Sequence, residues 1–327
     1  MALSDMKVFN EYLKNATIET LAQDVEKFNA ASAGAIRLTT QGIDGDFLQE
    51  SFWAGLHGAQ RRVDRYAANG AQSATALSQK QYDAVKVAGG FGPILWEPSQ
   101  LSWIQKSPEE ALEVISRNLS EAIVADQLNT VIAALVAAIS NQAAATNDVS
   151  ATAGVTYAAI NAAHAKFGDA SGRLVAQVMN GVTFHDLIGK NLTNAQQLFR
   201  AGDVTIVDIL GKAVIVTDSP ALYSAAVATP AAPAKQRVLS LADGAGMVMD
   251  GSDLITNIET SNGKGRIETT FQADYSFGLA LRGYTWDTAN GGKSPTDAEL
   301  ATGSNWELVA NSVKASAGVI TIGDAAK

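Results

Sequence analysis

The sequence predicts an α+β fold, and three observations carry it. A helical apolar pattern opens at Ser107-Pro108 and runs on to about residue 144 with no further Gly or Pro. Long β-rich runs return late in the chain, on either side of Asn262-Gly263. Between these two, strand-like and helix-like runs mix without the regular alternation of a doubly wound sheet. With 327 residues, 47% of them hydrophobic and 17% charged, the chain can bury one large core or two modest ones and is not a disordered or fibrous sequence. Twenty-four Lys+Arg against 33 Asp+Glu give a net charge of −9, so capture of nucleic acid through counterion release is disfavoured. The absence of cysteine excludes disulfide frameworks, cysteine nucleophiles and thiolate metal sites.

The N-terminus lacks the basic-then-apolar pattern of a signal peptide, and no stretch approaches roughly 18 uninterrupted apolar residues. A soluble chain made in the cytosol, with no membrane partner, is therefore expected. The Asn-x-Ser/Thr triplets at Asn15, Asn118 and Asn191 carry no weight without a secretory signal.

From Asp5 to Asn29, Val8, Phe9, Tyr12, Leu13, Leu21, Val25 and Phe28 fall close to helical spacing, with Thr20 and Gln23 spaced as a capping box for a second helical piece. An amphipathic helix on the chain's own core gives this stripe, and so does an arm lying on a neighbouring subunit. From Ala33 to Pro93 short β-like runs, 36–40 and 84–87, flank a polar, Gly-containing interior. Its stretch Asp46–Trp53 is read as a short helix, followed by Arg61, Arg62 and Arg65. So long an excursion with so little apolar content cannot bury itself and needs support from elsewhere.

At Ser107-Pro108-Glu109-Glu110 a helix start is written in full: a serine cap, proline at the first position and acids in the first turn. Continued to about residue 144, that helix is about 55 Å long. A second helix is expected over Thr156–Phe167, a buried strand over Leu174–Met179, and short helices over Phe184–Gly189 and Asn194–Phe199. Val204–Val207 and Ala213–Val216 look like a hairpin around Gly211, and the spacer 228–234 is a Pro/Ala-rich surface loop. Val238–Leu241 and a turn at 243–246 precede two long strands, Leu254–Thr260 and Arg266–Phe277, joined through Asn262-Gly263, with Leu279–Trp286 as a third strand.

No catalytic, cofactor or metal constellation emerges. His57, His164 and His185 are far apart and form no His-x-x-x-His pair. No Gly-x-Ser-x-Gly elbow is present. Gly291-Gly292-Lys293-Ser294 resembles the end of a phosphate loop, but Asp287 stands where the first glycine is required and Pro295 follows where a helix should propagate. Gly244/Gly246 and Gly263/Gly265 lack the third glycine of a dinucleotide fingerprint, being followed by Met249 and Glu268. The one local basic feature is Arg61, Arg62 and Arg65, which on a helix would share a face able to pair with phosphate or, better in an acidic chain, with another subunit's carboxylates.

An arm, a long projecting loop, one very long helix, a mixed lobe and a late return of long strands, in that order, resemble the major capsid proteins of tailed bacteriophages with the Hong Kong 97-type fold. Four stretches carry the likeness: Val85–Val87 with Gly92–Ile94, Met179–Ile188, Leu210–Pro220 and Gly278–Asp287. The resemblance implies an N-terminal arm over 1–32, an extended loop over 33–92, a peripheral domain over 93–171 with its spine helix from about 108 to 144, an axial domain over 172–253, and return strands with a C-terminal segment over 254–327. It implies self-assembly as hexamers and pentamers into an icosahedral shell, a viral head enclosing double-stranded DNA, put together in the host bacterial cytoplasm. Its expected partners are other copies of the chain, a portal, a separate scaffold and decoration proteins, and it needs no cofactor and performs no catalysis. Arg61, Arg62 and Arg65 of the loop, and Phe9, Tyr12 and Leu13 of the arm, are the expected intersubunit contacts. No Lys, Asn and Glu match the isopeptide crosslinking of some family members. With the loop beginning near residue 33, cleavage maturation is not expected and any scaffold is expected to be a separate protein. An encapsulin-like compartment shell shares the fold and stays open as the alternative, with an enzyme of unrecognised site behind it.

Overall fold

In the computed structural model of the chain, residues 3–42, 47–53, 61–66, 68, 70–71, 74, 79–194, 212–228, 231–251, 253–262 and 265–327 are described. One unbroken helix, α1 (Leu3–Ala31), opens the chain. The expected break at Thr20 does not occur, because its hydroxyl donates to the Ala16 carbonyl 2.9 Å away, inside the helix, and caps nothing. β1 (Ile36–Gly42) and β2 (Phe47–Trp53) follow. The short helix predicted over 46–53 is therefore a strand, antiparallel to β3 (Gln79–Trp96) from Phe47↔Val85 to Trp53↔Gln79. Two phenylalanines and a tryptophan suit a strand, and the ladder to β3 decides between two local readings.

α2 (Pro98–Lys106) and α3 (Pro108–Ser140) both begin on proline, whose missing N–H costs nothing in the first turn. α3 has 33 residues, about 50 Å of helix. It stops short of 144 because the Thr146 hydroxyl reaches back to the Ile139 and Gln142 carbonyls, each at 3.0 Å, and satisfies the open end. By length and composition α3 could cross a membrane, but Leu119, Ile123, Val131, Ile132, Leu135 and Ile139 are buried in the protein core.

β4 (Thr146–Asp148) leads to α4 (Tyr157–Phe167), whose cap is Thr156, its hydroxyl accepting from the Ala159 amide at 3.2 Å. β5 (Leu174–Met179) is the buried strand expected there. α5 (Gly181–Asn194) absorbs the predicted helix over 184–189 in a longer one, while residues 195–199 lie outside the described residues. β6 (Ala213–Val216) pairs in parallel with β5; its expected hairpin partner, 204–207, also lies outside them. β7 (Tyr223–Ser224) follows, and the small hairpin of β8 (Val227–Ala228) and β9 (Ala231–Ala232) gives the Pro/Ala spacer some pairing. β10 (Lys235–Ala242), β11 (Gly246–Asp250), β12 (Ile255–Ser261) and β13 (Glu268–Leu281) follow, the last two in the expected hairpin. The predicted third strand over 279–286 is instead the end of β13, a two-residue turn at Arg282-Gly283 and β14 (Tyr284–Trp286). Gly283, at φ +78°, supplies the left-handed residue that so tight a turn needs. α6 (Thr288–Gly291), α7 (Asp297–Leu300), β15 (Trp306–Leu308) and β16 (Gly318–Asp324) complete the chain.

Two sheets organise these elements. The first has β13 at its centre, with β3 along one side and β12 then β11 end to end along the other; β1, β2, β14 and β15 extend it. The second runs β4-β16-β10-β5-β6, with β7 on β10. The C-terminal β16 thus crosses into the second sheet, antiparallel to β10, and β11 belongs to the first. One hydrophobic core spans both sheets through α1 and α3, from Phe9 and Leu13 to Ile320 and Ile322. Within it Trp286 and Trp306 meet edge to face at 4.8 Å, and their indole N–H groups donate to the Gly292 and Leu300 carbonyls, each at 3.0 Å.

Candidate assembly interface

The arm residues separate by burial. Phe9 and Leu13 are 6% and 0% exposed, set in the core beside α3, whereas Tyr12 is 62% exposed. Within a single copy, the side of α1 that carries Phe9 and Leu13 closes the subunit's own core, and Tyr12 stands on its open side. Asn10 fixes the helix further, its amide donating to the Thr256 carbonyl at 2.8 Å.

The arginines stand in the open. Arg61, Arg62, Val63, Asp64, Arg65 and Tyr66 are all exposed, and residues 61–64 have no regular secondary structure, so the shared helical face predicted for 61, 62 and 65 is absent. The Tyr66 amide donates to Asp64 Oδ1 at 2.9 Å, which makes a local turn. Among the described residues, no ion pair includes Arg61, Arg62 or Arg65. Val63 and Tyr66, 64% and 93% exposed, add apolar surface to this basic segment.

The ribbon of β3, β12 and β13 has two unlike faces. On the inner face aromatics form a ladder: Trp96 stacks on Phe271 at 5.9 Å, Phe91 on Tyr275 at 5.5 Å, and Tyr275 on Phe277 at 6.4 Å. The Tyr275 ring lies across Gly89, where a Cβ would fall 2.7 Å from the ring, and its hydroxyl donates to Asp126 Oδ2 of α3 at 2.6 Å. Burial first, and the Asp126 carboxylate second, push the tyrosine far above its ordinary pKa. On the outer face Gly90 and Ala88 leave a shallow depression of about 400 Å³ between Asp253, Asp274 and Ile255. Asp253 is fully engaged. Burial alone would raise its pKa, but bonds from the Ser276 hydroxyl at 2.6 Å and from Lys86 Nζ at 3.1 Å outweigh that and hold it below the usual carboxylate range. Among the described residues, Asp274 accepts only from the Gln272 amide, at 3.2 and 3.3 Å.

The histidines play separate parts. His164 is buried against Ser240 Oγ at 2.9 Å, His185 is exposed with its ring edge-on to Phe184, and His57 lies outside the described residues. Among the described residues no three His, Cys, Asp or Glu side chains gather as metal ligands would.

The outer-face residues were not singled out by sequence reasoning. The signal that could have found them is the Gly89-Gly90 pair inside a β-rich run, because glycine in a strand marks a bulge or a place where something approaches closely.

A helix-backed sheet with a long β2–β3 excursion, joined by one core to a second sheet, defines a phage capsid subunit of Hong Kong 97 type. The solved cyanophage Pam1 capsid has this fold: it superposes with a TM-score of 0.53 over 89% of this chain and 88% of that one, at 13% identity. The acid-stable capsid of Helicobacter pylori bacteriophage KHP30 aligns over 90% of this chain and 88% of that one, at 10% identity and a TM-score of 0.48. No curated protein sequence matches the chain. The family model for the Gp13-like major capsid proteins, described as major capsid protein 13-like, matches residues 5–320, and the chain belongs to that family. It is a phage major capsid protein, a structural component of the virion.

Proposed function

We propose that the chain assembles as hexamers and pentamers into the icosahedral head of a tailed phage, in the host cytoplasm, around double-stranded DNA. In this reading residues 1–32 are the arm, 33–92 the extended loop, 93–171 the peripheral domain, 172–253 the axial domain and 254–327 the return strands with the C-terminal segment. The observation that carries the reading is the exposed segment 61–66 between β2 and β3, whose three guanidiniums form no ion pair among the described residues and are open to the carboxylates of another copy. Copies related by rotation cover one another's loops and close rings. A portal, a scaffold and decoration proteins are the further partners of such a head. The net charge of −9 per copy, repeated over a shell, repels packaged DNA and keeps it mobile where it faces inward.

Electron microscopy of the full chain, expressed in a bacterium with and without the other head proteins of a phage, tests this. Closed shells are the expected result; a chain that stays monomeric by size exclusion in both settings would sink the proposal. Particles filled with a folded protein instead of DNA would redirect it to a compartment shell. An inner surface of net positive potential would overturn the charge argument.

A further inference from the structure

We propose that the hollow beneath the middle of α1 is a binding site for a medium-chain carboxylate, an amphipath with an anionic head and an unbranched apolar tail. The site is a property of the single subunit and does not depend on how copies assemble.

α1 is pinned at its two ends. The Asn10 amide donates to the Thr256 carbonyl at 2.8 Å, and the Asn29 side chain donates to the Leu38 carbonyl at 2.6 Å and accepts from the Leu38 amide at 2.8 Å. Between these pins lies a cavity of about 350 Å³, walled by residues of α1, α3, β1, β11 and β13. Lys14, Ile18, Leu21 and Val25 face it at helical spacing, and from first to last they span about 16 Å of helix.

The wall is chiefly apolar, with Leu21, Val25, Leu38, Ile123, Val248 and Leu254 among its residues. Most of its polar side chains are occupied. Thr39 donates to the Val248 carbonyl at 3.4 Å, Ser276 to Asp253 and Tyr275 to Asp126, each at 2.6 Å, and Asp250 has a partner of its own. Gln127 is different: it is 6% exposed, lines the cavity and makes no side-chain hydrogen bond among the described residues. Lys14, on the same wall, forms no ion pair among them. A buried amide without a partner is costly, and an ordered water needs several polar neighbours that these walls do not supply.

The two unpartnered groups stand at one end. Lys14 is one turn beyond Asn10, which is bonded to Thr256, two residues past Leu254. Gln127 follows Asp126, which is bonded to Tyr275, and Tyr275 adjoins Asp274, the register partner of Ile255. Both groups therefore flank the β12 end of the cavity, while Val25 and the paired Leu38 and Val248 line the other end. An ammonium and an amide N–H both donate, so the first end suits a carboxylate, and the second suits methylenes.

Size sets the length of the tail. A cavity of about 150 Å³ holds a benzene, so one of about 350 Å³ takes about a dozen carbons. Laid in a zigzag of bonds of about 1.5 Å, such a chain is about 14 Å long, within the span of α1 that faces the cavity. Bound there, it joins α1 to the sheet between the two pins.

Isothermal titration of the full chain with dodecanoate, below the concentration at which it forms micelles, tests the site. The expected result is saturable binding of one molecule per chain with a rise in the thermal unfolding temperature. Dodecyltrimethylammonium, with the same tail and the opposite charge, should not bind comparably. Lys14→Met should weaken dodecanoate binding roughly tenfold, the scale of one charge-assisted hydrogen bond, and Ala22→Trp, which puts a ring into the cavity, should abolish it. Should Ala22→Trp fail to fold, Gln127→Leu gives the second readout: it should leave the unliganded chain at least as stable, because it removes an unpaired buried amide, and still lower the affinity severalfold. No saturable binding, equal binding of the cationic amphipath, or an affinity unchanged in these variants each overturns the site, and none of them touches the shell reading.

Discussion

β13 is two strands in one. From Ser276 to Leu281 every residue is buried, whereas from Glu268 to Tyr275 burial alternates, with Gln272 and Asp274 in solvent and Thr269, Phe271, Ala273 and Tyr275 inside. Both halves are paired on both edges, by β3 on one side and by β11 or β12 on the other, so backbone pairing does not separate them. What separates them is whether one face or both are covered within the subunit. The buried half is covered on both faces within the subunit, and the other half keeps one face open to solvent.

The largest expected effect lies in the buried half. Phe277→Ala removes a fully buried ring from the aromatic ladder and should cost about 3–5 kcal/mol of subunit stability in urea unfolding. A cost near that of a surface substitution would erase the distinction between the halves. At the boundary, Tyr275→Phe keeps the ring over Gly89 but removes the bond to Asp126, and about 1.5–2 kcal/mol should be lost. If Tyr275→Phe proved neutral, the inner ladder would be held by packing alone.

A third effect is set by pH and belongs to the second sheet. Burial first, and the Lys212 charge second, lower the pKa of His164 below its ordinary 6.5, so the folded chain holds fewer protons there than the unfolded one. The associated stability is present above about 6.5 and declines as the pH falls below it. His164→Gln, which can still meet Ser240, should flatten that part of the acid profile in thermal unfolding at graded pH; an unchanged slope would move the cause elsewhere. The smallest effect is expected on the open face, where Gln272→Lys should change subunit stability by less than about 0.5 kcal/mol. A larger loss there would show that the face is already occupied within one copy.

Much of this was legible in the sequence, and the rest was hidden for identifiable reasons. Pro108-Glu109-Glu110 marked the start of α3, since a first-position proline and first-turn charges act locally, although the Ser107 hydroxyl makes no capping bond. Asn262-Gly263 located the β12–β13 hairpin for the same reason. The segment 46–53 reads as a helix because an eight-residue run carries no decisive period, and only pairing with residues some thirty positions away makes 47–53 a strand. The shared arginine face is absent because it assumes a helix, and residues 61–66 do not form one.

The sequence alone thus determined the local elements and the order in which they occur, enough for the family resemblance that the match over residues 5–320 bears out. It did not determine that Phe9 and Leu13 close their own core while Tyr12 does not, nor that Gly90, Asp274 and Ile255 meet on one surface. Those facts depend on strand register and helix docking between residues as much as two hundred positions apart, and a local pattern says which face of an element is apolar without saying what will cover it.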